Sequence, residues 1–315
     1  MKQTYRAMQV TTPGILELVE RETPKPGRGE VLIAVEACGI CGADASDIEN
    51  ADPRLQPPRV PGHEVVGRIA AIGENVPSNW RVGQRVGVGR KGGPCLECPQ
   101  CRAGRFHLCP NQAIVGSSCD GGYAEMMIAR ATGLVSIPEE LSSEEAAPIL
   151  CAGIATFNAL KKSGAEAGDT VAVLGIGGLG HMAVQYARKM GFRVVAVGRG
   201  QDIAADALEL GAQRYIDTQQ EDAAEALKAL GGAKAILSTP VHAAPVAALM
   251  PGLAPEGRMV LLGVGKDPLP VAMGPLIGGE RGVIGAVTGS PFWNGGTLGF
   301  SVVNRVRPEN QKMPP

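Results

Sequence analysis

The sequence predicts an α/β protein of two domains, a mainly β N-terminal half followed by a doubly wound parallel sheet. Three observations carry that reading. Short alternating apolar runs lie between glycines and prolines before residue 150, strand-like and helical runs alternate after Lys162, and a glycine cluster marks one strand-to-helix junction. At 315 residues the chain is long enough for two substantial cores.

In the first half the runs are Val31–Val35, Glu64–Ile69 and Gln84–Val88. With 44 glycines and 24 prolines to turn the chain, they predict a compact, barrel-like antiparallel domain over residues 1–150. Ser142-Ser143-Glu144-Glu145 is a capped helix start, and the helix it opens is expected to join the two domains. Beyond it the candidate strands are Thr170–Leu174, Arg193–Val197, Arg214–Asp217, Ala233–Leu237, Arg258–Gly263 and Gly282–Val287. Helical periodicity fills Leu179–Met190 and Ile203–Leu210. Repeated βα units imply a parallel sheet covered on both faces, over residues 151–287.

Composition excludes several classes of function. The net charge of −1 leaves no basic stripe for nucleic acid or an anionic membrane. No apolar stretch is long enough to span a bilayer; the longest, near Ala146–Leu160, contains Thr156 and Asn158. Met1–Arg6 leads into no continuous apolar core, so no secretory signal is expected. Eight cysteines in that setting predict reduced thiols in the cytoplasm, used for metal or catalysis.

Four of those cysteines are close in sequence. Cys95, Cys98 and Cys101 stand at two-residue gaps and Cys109 follows after seven more, within a lobe spanning 92–110. A closed shell of four thiolates suits Zn²⁺ and leaves no place for substrate, so such a site builds structure. A disulfide knot is the alternative, but neighbours this close pair badly. Iron–sulfur ligation also uses short gaps and is the other alternative.

The second half carries its own fingerprint. Val171-Ala172-Val173-Leu174 runs into Gly175-Ile176-Gly177-Gly178-Leu179-Gly180 and then into an amphipathic segment. That context, strand before and helix after, is the one a Rossmann dinucleotide site requires. Gly175 permits the turn, Gly177 lets backbone N–H groups approach a pyrophosphate, and Gly180 allows close helix packing. The next strand ends in Gly198-Arg199, where an NAD site usually places an acid. A guanidinium beside a missing carboxylate suits a 2′-phosphate, so NADP is expected over NAD, with NAD possible.

The remaining thiols complete the pattern. Cys38-Gly39-Ile40-Cys41 reads alone as a thioredoxin-type CxxC, which leaves Gly62-His63-Glu64 and Cys151 unexplained. Cys41, His63 and Cys151 form a dispersed two-cysteine, one-histidine set of the kind that holds catalytic zinc. With Gly39-Ile40-Cys41-Gly42-Ala43-Asp44, the four-cysteine lobe and Gly175–Gly180, these markers resemble the zinc-dependent medium-chain dehydrogenase/reductases, the zinc-containing alcohol dehydrogenase family. They stand in the family's order and cover nearly the whole chain.

The resemblance implies a GroES-like catalytic domain beside the Rossmann domain, two Zn²⁺ per chain, and NADP or NAD. It implies hydride transfer between a primary alcohol or aldehyde and the nicotinamide. Cys41, His63 and Cys151 would hold the catalytic ion, Glu64 would displace water beside it, and Asp44 would orient the ring of His63. Polyol dehydrogenases share the Cys-Gly-Ile-Cys-Gly opening; a weakly catalytic, zinc-stabilised nucleotide-binding redox sensor is a reading from another class. Relatives pair as homodimers or homotetramers, and no nucleic acid or membrane partner is implied.

Two departures stand out. Family members usually carry Ser or Thr at the position of Ala43, whose methyl cannot relay a proton, and Ser46 stands where a histidine often ends that relay. After a return helix at Thr297–Val303, the polar run through Pro314-Pro315 offers no closing strand. Residues 288–315 are therefore expected to be a shortened return to the catalytic domain, leaving the chain less stable and prone to associate. Cys38 and Cys119 are expected as buried thiols and His107 as a surface residue; His181 follows the glycines closely enough to approach a pyrophosphate, and His242 carries no signal.

Overall fold

A computed structural model describes residues 3–49 and 57–309. The chain forms two compact units, Met1–Ile154 with Thr288–Pro315, and Ala155–Val287.

The first unit is antiparallel. Strands β1 (Thr4–Thr12) and β2 (Ile15–Glu22) form a hairpin that turns at Gly14, whose φ of +84° a residue with a side chain would rarely adopt. This hairpin is not evident from the sequence pattern, because β2 is largely exposed and alternates charged with apolar residues. A five-stranded sheet follows: β3 (Glu30–Gly39), β4 (Glu64–Ile72), β5 (Arg85–Val88), β6 (Met126–Arg130) and β7 (Val135–Ser136), in the order β6-β3-β4-β5-β7. Val31, Ile33, Val65, Ile69, Val86 and Val88 pack its core. Two register shifts between β3 and β4 curve the pair as bulges do. The register has a further consequence. Gly39 at the end of β3 lies opposite Glu64 at the start of β4, so Cys41 and His63, just beyond these ends, become neighbours.

The predicted cap at Ser142 forms. Ser142 Oγ accepts from the Glu145 N–H at 3.2 Å, and Glu145 Oε2 accepts from the Ser142 N–H at 2.8 Å, opening the helix Ser143–Pro148. Pro148 has no N–H to give the ladder. The helix widens to π geometry over Ile149–Gly153, around Cys151, before Ile154–Lys162 resumes α geometry. Late in the chain, helix Pro291–Asn304 begins six residues before the expected Thr297–Val303, with Pro291 at its first position. It buries Asn294, Thr297, Leu298 and Ser301, one stripe of the helix, and stops at Arg305 in left-handed conformation. Residues 310–315, on which much of the shortened-terminus expectation rests, lie outside the described residues.

The second unit is a six-stranded parallel sheet: β8 (Thr170–Leu174), β9 (Arg193–Gly198), β10 (Arg214–Asp217), β11 (Ala233–Ser238), β12 (Leu253–Leu261) and β13 (Gly282–Gly285). The order β10-β9-β8-β11-β12-β13 reverses direction between β8 and β11, the doubly wound arrangement of dinucleotide-binding sheets. Every residue of β8 is buried, as a central strand covered on both faces requires. Helices Gly178–Lys189 and Ala204–Glu209 match the periodic segments to within one residue at each end. β12 starts five residues before the expected Arg258, because Pro255 and Gly257 hide it from an alternation count, and β13 ends two residues short of Val287. Among the described residues no helix is long and apolar enough to cross a membrane.

Candidate active site and metal centres

The first cluster sits in the antiparallel unit, where Cys41, His63, Glu64 and Cys151 place ligand atoms within 4.8 Å of one another. Cys41 caps helix Gly42–Ile48, His63 and Glu64 straddle the start of β4, and Cys151 projects from the π-helical turn. The Cys41 and Cys151 sulfurs are 3.9 Å apart, and His63 Nε2 is 3.3 Å from Cys151 Sγ. Two thiolates bound about 2.3 Å from one tetrahedral ion would stand roughly 3.8 Å apart, so the donor set fits a single zinc. Gly39 has no side chain because a Cβ there would overlap the Glu64 carboxylate.

The surroundings fix the ring of His63. Asp44 Oδ1 lies 2.8 Å from His63 Nδ1, while Asp44 Oδ2 accepts from the Cys41 N–H at 2.8 Å and the Tyr123 hydroxyl at 2.9 Å. With Nδ1 held by the carboxylate, Nε2 is left for a metal. Asp47, fully buried, is paired with both Arg90 Nη atoms, and Arg90 Nη1 lies 3.5 Å from His63 Nδ1. Asp44, Asp47 and His63 also cluster closely enough to hold an ion, but these two carboxylates are already spent on His63 and Arg90.

The charge states follow from these contacts. A hydrogen bond from the Cys151 thiol holds Cys41 down to about 4 and pushes Cys151 up. Burial alone would lower His63, but Asp44 and the Cys41 thiolate raise it to about 9. Burial, then the Cys41 charge, raises Glu64 to about 8. With Cys41 and Asp44 both lowered, the cluster holds buried negative charge that a divalent cation could balance in place of the His63 proton.

The second cluster is local. Cys95, Cys98, Cys101 and Cys109 also bring four sulfurs within 4.8 Å. Cys109 and Cys95 are 3.5 Å apart and Cys98 and Cys109 3.9 Å, near the spacing expected around one ion and too close to enclose several irons. All eight cysteines are free, so no disulfide knot forms. Backbone N–H groups aim at the sulfurs: Cys98 N–H donates to Cys95 and Cys101 N–H to Cys98, both at 3.4 Å. Leu96, with φ of +65°, turns the chain so that this is possible. His107 is half-buried rather than a free surface residue, its ring 4.5 Å from that of Trp293.

The glycine loop lies at the sheet's reversal point in the parallel unit. Gly175 turns the chain with φ of +83°, and a Cβ on Gly180 would overlap the Gly175 carbonyl. A Cβ on Gly177 or Gly178 would meet nothing within 4 Å, so the N-terminus of the 12-residue helix is open to an anion at Ile176–Leu179. That cradle fits a pyrophosphate. His181 is half-buried, with Nδ1 3.3 Å from the Gly177 carbonyl. At the end of β9, Gly198 faces the Tyr215 hydroxyl and Arg199 is exposed; among the described residues Arg199 has no ion pair.

The other singled-out residues lie apart. Cys38 and Cys119 are half-buried and pack with the antiparallel core, burial raising both thiols, Cys119 to about 11. Ala43 and Ser46 are exposed on helix Gly42–Ile48, and His242 precedes helix Ala243–Leu249. Tyr123, Arg90, Asp47 and Tyr215 were not singled out by sequence, since each meets its partner only through the fold.

Comparison with known proteins agrees with this geometry. The family model "Alcohol dehydrogenase GroES-like domain" matches residues 27–139 and "Zinc-binding dehydrogenase" matches 178–297. Alcohol dehydrogenase notN of Aspergillus sp. is 42% identical over 83% of this chain and 77% of its own. Aldehyde reductase AdhA of Synechocystis sp. is 34% identical over 98% of this chain and 90% of its own. Among solved structures, CAD from Helicobacter pylori complexed with NADP(H) is 26% identical with a TM-score of 0.85, covering 98% of this chain and 90% of that one. The chain belongs to the zinc-containing medium-chain dehydrogenase/reductase family and is an oxidoreductase of its alcohol dehydrogenase and aldehyde reductase group.

Proposed function

We propose that this chain interconverts primary alcohols and aldehydes with NADP as the preferred dinucleotide, using one catalytic and one structural zinc per chain. The observation that carries the proposal is the Cys41–His63–Glu64–Cys151 cluster with Asp44 behind the histidine. When bound, zinc supplies a Lewis acid for the substrate oxygen and the dinucleotide supplies or accepts the hydride.

Cys41, His63 and Cys151 would hold the catalytic ion and leave one position for substrate. Glu64, buried beside them, would take that position in turn. Asp44 would hold the Nδ1–H of His63 and so leave Nε2 to the metal. Cys95, Cys98, Cys101 and Cys109 would close around the second ion and hold their lobe together. Because Ala43 bears no hydroxyl, the alcohol proton would leave through water or through the exposed Ser46 Oγ.

Gly175, Ile176, Gly177, Gly178, Leu179 and Gly180 would receive the pyrophosphate, and Gly198 and Arg199 would face the adenosine ribose. Arg199, exposed and without an ion pair among the described residues, supports a 2′-phosphate there. The relative from Helicobacter pylori is bound to the same cofactor class. Eight free thiols suit a reducing cytoplasm, and assembly as a homodimer or homotetramer is part of the proposal. Ala43 also favours a second reading, a weakly catalytic nucleotide-binding redox sensor stabilised by zinc.

Loss of NADPH absorbance with a panel of aldehydes tests the first reading. Turnover that is faster at equal concentration with NADPH than with NADH supports it; no turnover with any aldehyde favours the sensor. Arg199→Ala is expected to weaken NADPH binding by about 1–3 kcal/mol and to leave NADH nearly unchanged. An unchanged preference would reject the 2′-phosphate site.

A further inference from the structure

The turn after β9 is held from the neighbouring strand β10, which pairs with it in register, Tyr215 beside Ala196 and Asp217 beside Gly198. The Tyr215 hydroxyl donates to the Gly200 carbonyl at 2.6 Å. Asp217 Oδ1 accepts from the Gly200 N–H at 2.8 Å and the Gln219 N–H at 2.9 Å, and Asp217 Oδ2 accepts from Gln201 Nε2 at 2.9 Å. Both polar groups of the Gly200 backbone are therefore fixed by β10, and Arg199, one residue earlier, projects from a clamped turn. Asp217 is almost fully buried, with two of its bonds to this turn and one to the Gln219 N–H that follows its own strand.

Gly198 matters for a different reason. Its φ is not positive, so its backbone would accept any residue. What opposes a side chain is Tyr215, whose hydroxyl is held by its bond to Gly200: a Cβ at position 198 would overlap the hydroxyl oxygen and come within 3.0 Å of Cε2 and Cζ of the ring. Burial, with the Asp217 and Asp202 carboxylates nearby, raises the Tyr215 hydroxyl, which keeps it a donor. The ribose-binding carboxylate of an NAD site belongs at this strand end. Tyr215 stands in its way.

We infer that Tyr215 is a specificity-determining residue for the cofactor: it excludes an acidic side chain from position 198 and, with Asp217, holds the turn that presents Arg199. The second half of this inference rests on the NADP reading above, whereas the exclusion does not. Asp202 is another carboxylate close to the turn, within 3.0 Å of where a Cβ on Gly200 would lie, and it is exposed. A carboxylate at position 202 could meet ribose hydroxyls by a different route, so the test must separate it from position 198.

The test titrates the full chain with NADPH and with NADH, following nucleotide fluorescence, and compares the wild type with Gly198→Asp, Gly198→Asp/Tyr215→Ala, Tyr215→Phe, and Asp202→Asn made both in the wild type and in the double variant. The single variant Gly198→Asp is expected to gain no NADH affinity, because its side chain meets Tyr215. The double variant is expected to bind NADH about tenfold more tightly than the wild type, as one charge-assisted hydrogen bond warrants. Tyr215→Phe keeps the ring and loses only the bond to Gly200, so it is expected to weaken NADPH a few-fold and leave NADH alone. A melting curve for each variant checks folding, and Tyr215→Phe reads the clamp even if the double variant does not fold. If Gly198→Asp alone gains as much NADH affinity as the double variant, Tyr215 excludes nothing and the inference falls. If Asp202→Asn abolishes NADH binding in the double variant as fully as in the wild type, the ribose contact lies at 202 and the inference also falls. Failure of the NADP reading looks different: the wild type would favour NADH and Arg199→Ala would change neither affinity, while the comparison of single and double variants, read on NADH, would still judge Tyr215.

Discussion

The two sulfur clusters of the antiparallel unit are built in opposite ways. Cys95, Cys98, Cys101 and Cys109 come from one short stretch and are steadied by their own backbone N–H groups. Cys41, His63, Glu64 and Cys151 come from three separate places in the chain and are steadied by side chains of other elements, Asp44, Tyr123 and the Arg90–Asp47 pair. The first set is all sulfur and closed. The second mixes sulfur, nitrogen and a buried carboxylate, Glu64. A local, self-sufficient site holds a fold together, whereas a dispersed site with a charged support can leave one position for chemistry.

That contrast can be broken most forcefully at Cys151. Replacing it with Ala removes a ligand of the dispersed site alone, and the rate is expected to fall by about 10³-fold or more while the melting temperature changes little. A variant that kept its activity would remove Cys151 from the ligand set. Cys98→Ser acts in the reverse sense: melting should drop by several degrees, through loss of a few kcal/mol that the closed ion gives the lobe. Thermal scans that left the wild type and this variant superimposed would end the structural role. Acid should empty the lobe in the same way, because thiolates must be free of protons to bind, so zinc retention should fall as pH falls.

A smaller effect sharpens the dispersed site. Asp44→Asn keeps the shape beside His63 but loses the charge that orients and strengthens the ring as a ligand. Activity or zinc affinity should drop by about 10–100-fold. Equal zinc affinity and equal rate would mean that a neutral hydrogen-bond acceptor at position 44 holds the ring as well as the carboxylate does. Smallest of all, Ala43→Thr should raise turnover a few-fold if the missing hydroxyl limits proton transfer, and an unchanged rate would mean that water already serves.

The same contrast decides what could be read from the sequence. The four-cysteine lobe was legible because its ligands are contiguous, and the glycine loop because strand, Gly175–Gly180 and helix follow one another. Capping at Ser142 was legible for the same reason. Cys41, His63 and Cys151 could be grouped only through resemblance, since nothing local ties a residue to one 110 positions away. Of their supports only Asp44 could be named, through the same resemblance, and it lies 2.8 Å from His63 Nδ1; the others were not legible. Tyr123 reaches Asp44 across 79 positions and Arg90 reaches Asp47 across 43, contacts that periodicity and spacing do not encode. Gly198 was read as a missing acid, and only the fold reveals Tyr215 filling the space beside it. β2 and the first residues of β12 escaped because exposure in one and Pro255 with Gly257 in the other blur the alternation.

The proposed pair of metal centres, separate and of different kinds, is tested most directly by metal content per chain. Elemental analysis of the purified wild type, Cys98→Ser and Cys151→Ala is expected to give about two, one and one zinc per chain, as two separate tetrahedral ligand sets require. The ion that remains in Cys151→Ala should resist a chelator as firmly as the slower of two ions in the wild type. One metal per chain in the wild type, iron in the four-cysteine lobe, or loss of both ions from either variant would contradict the account.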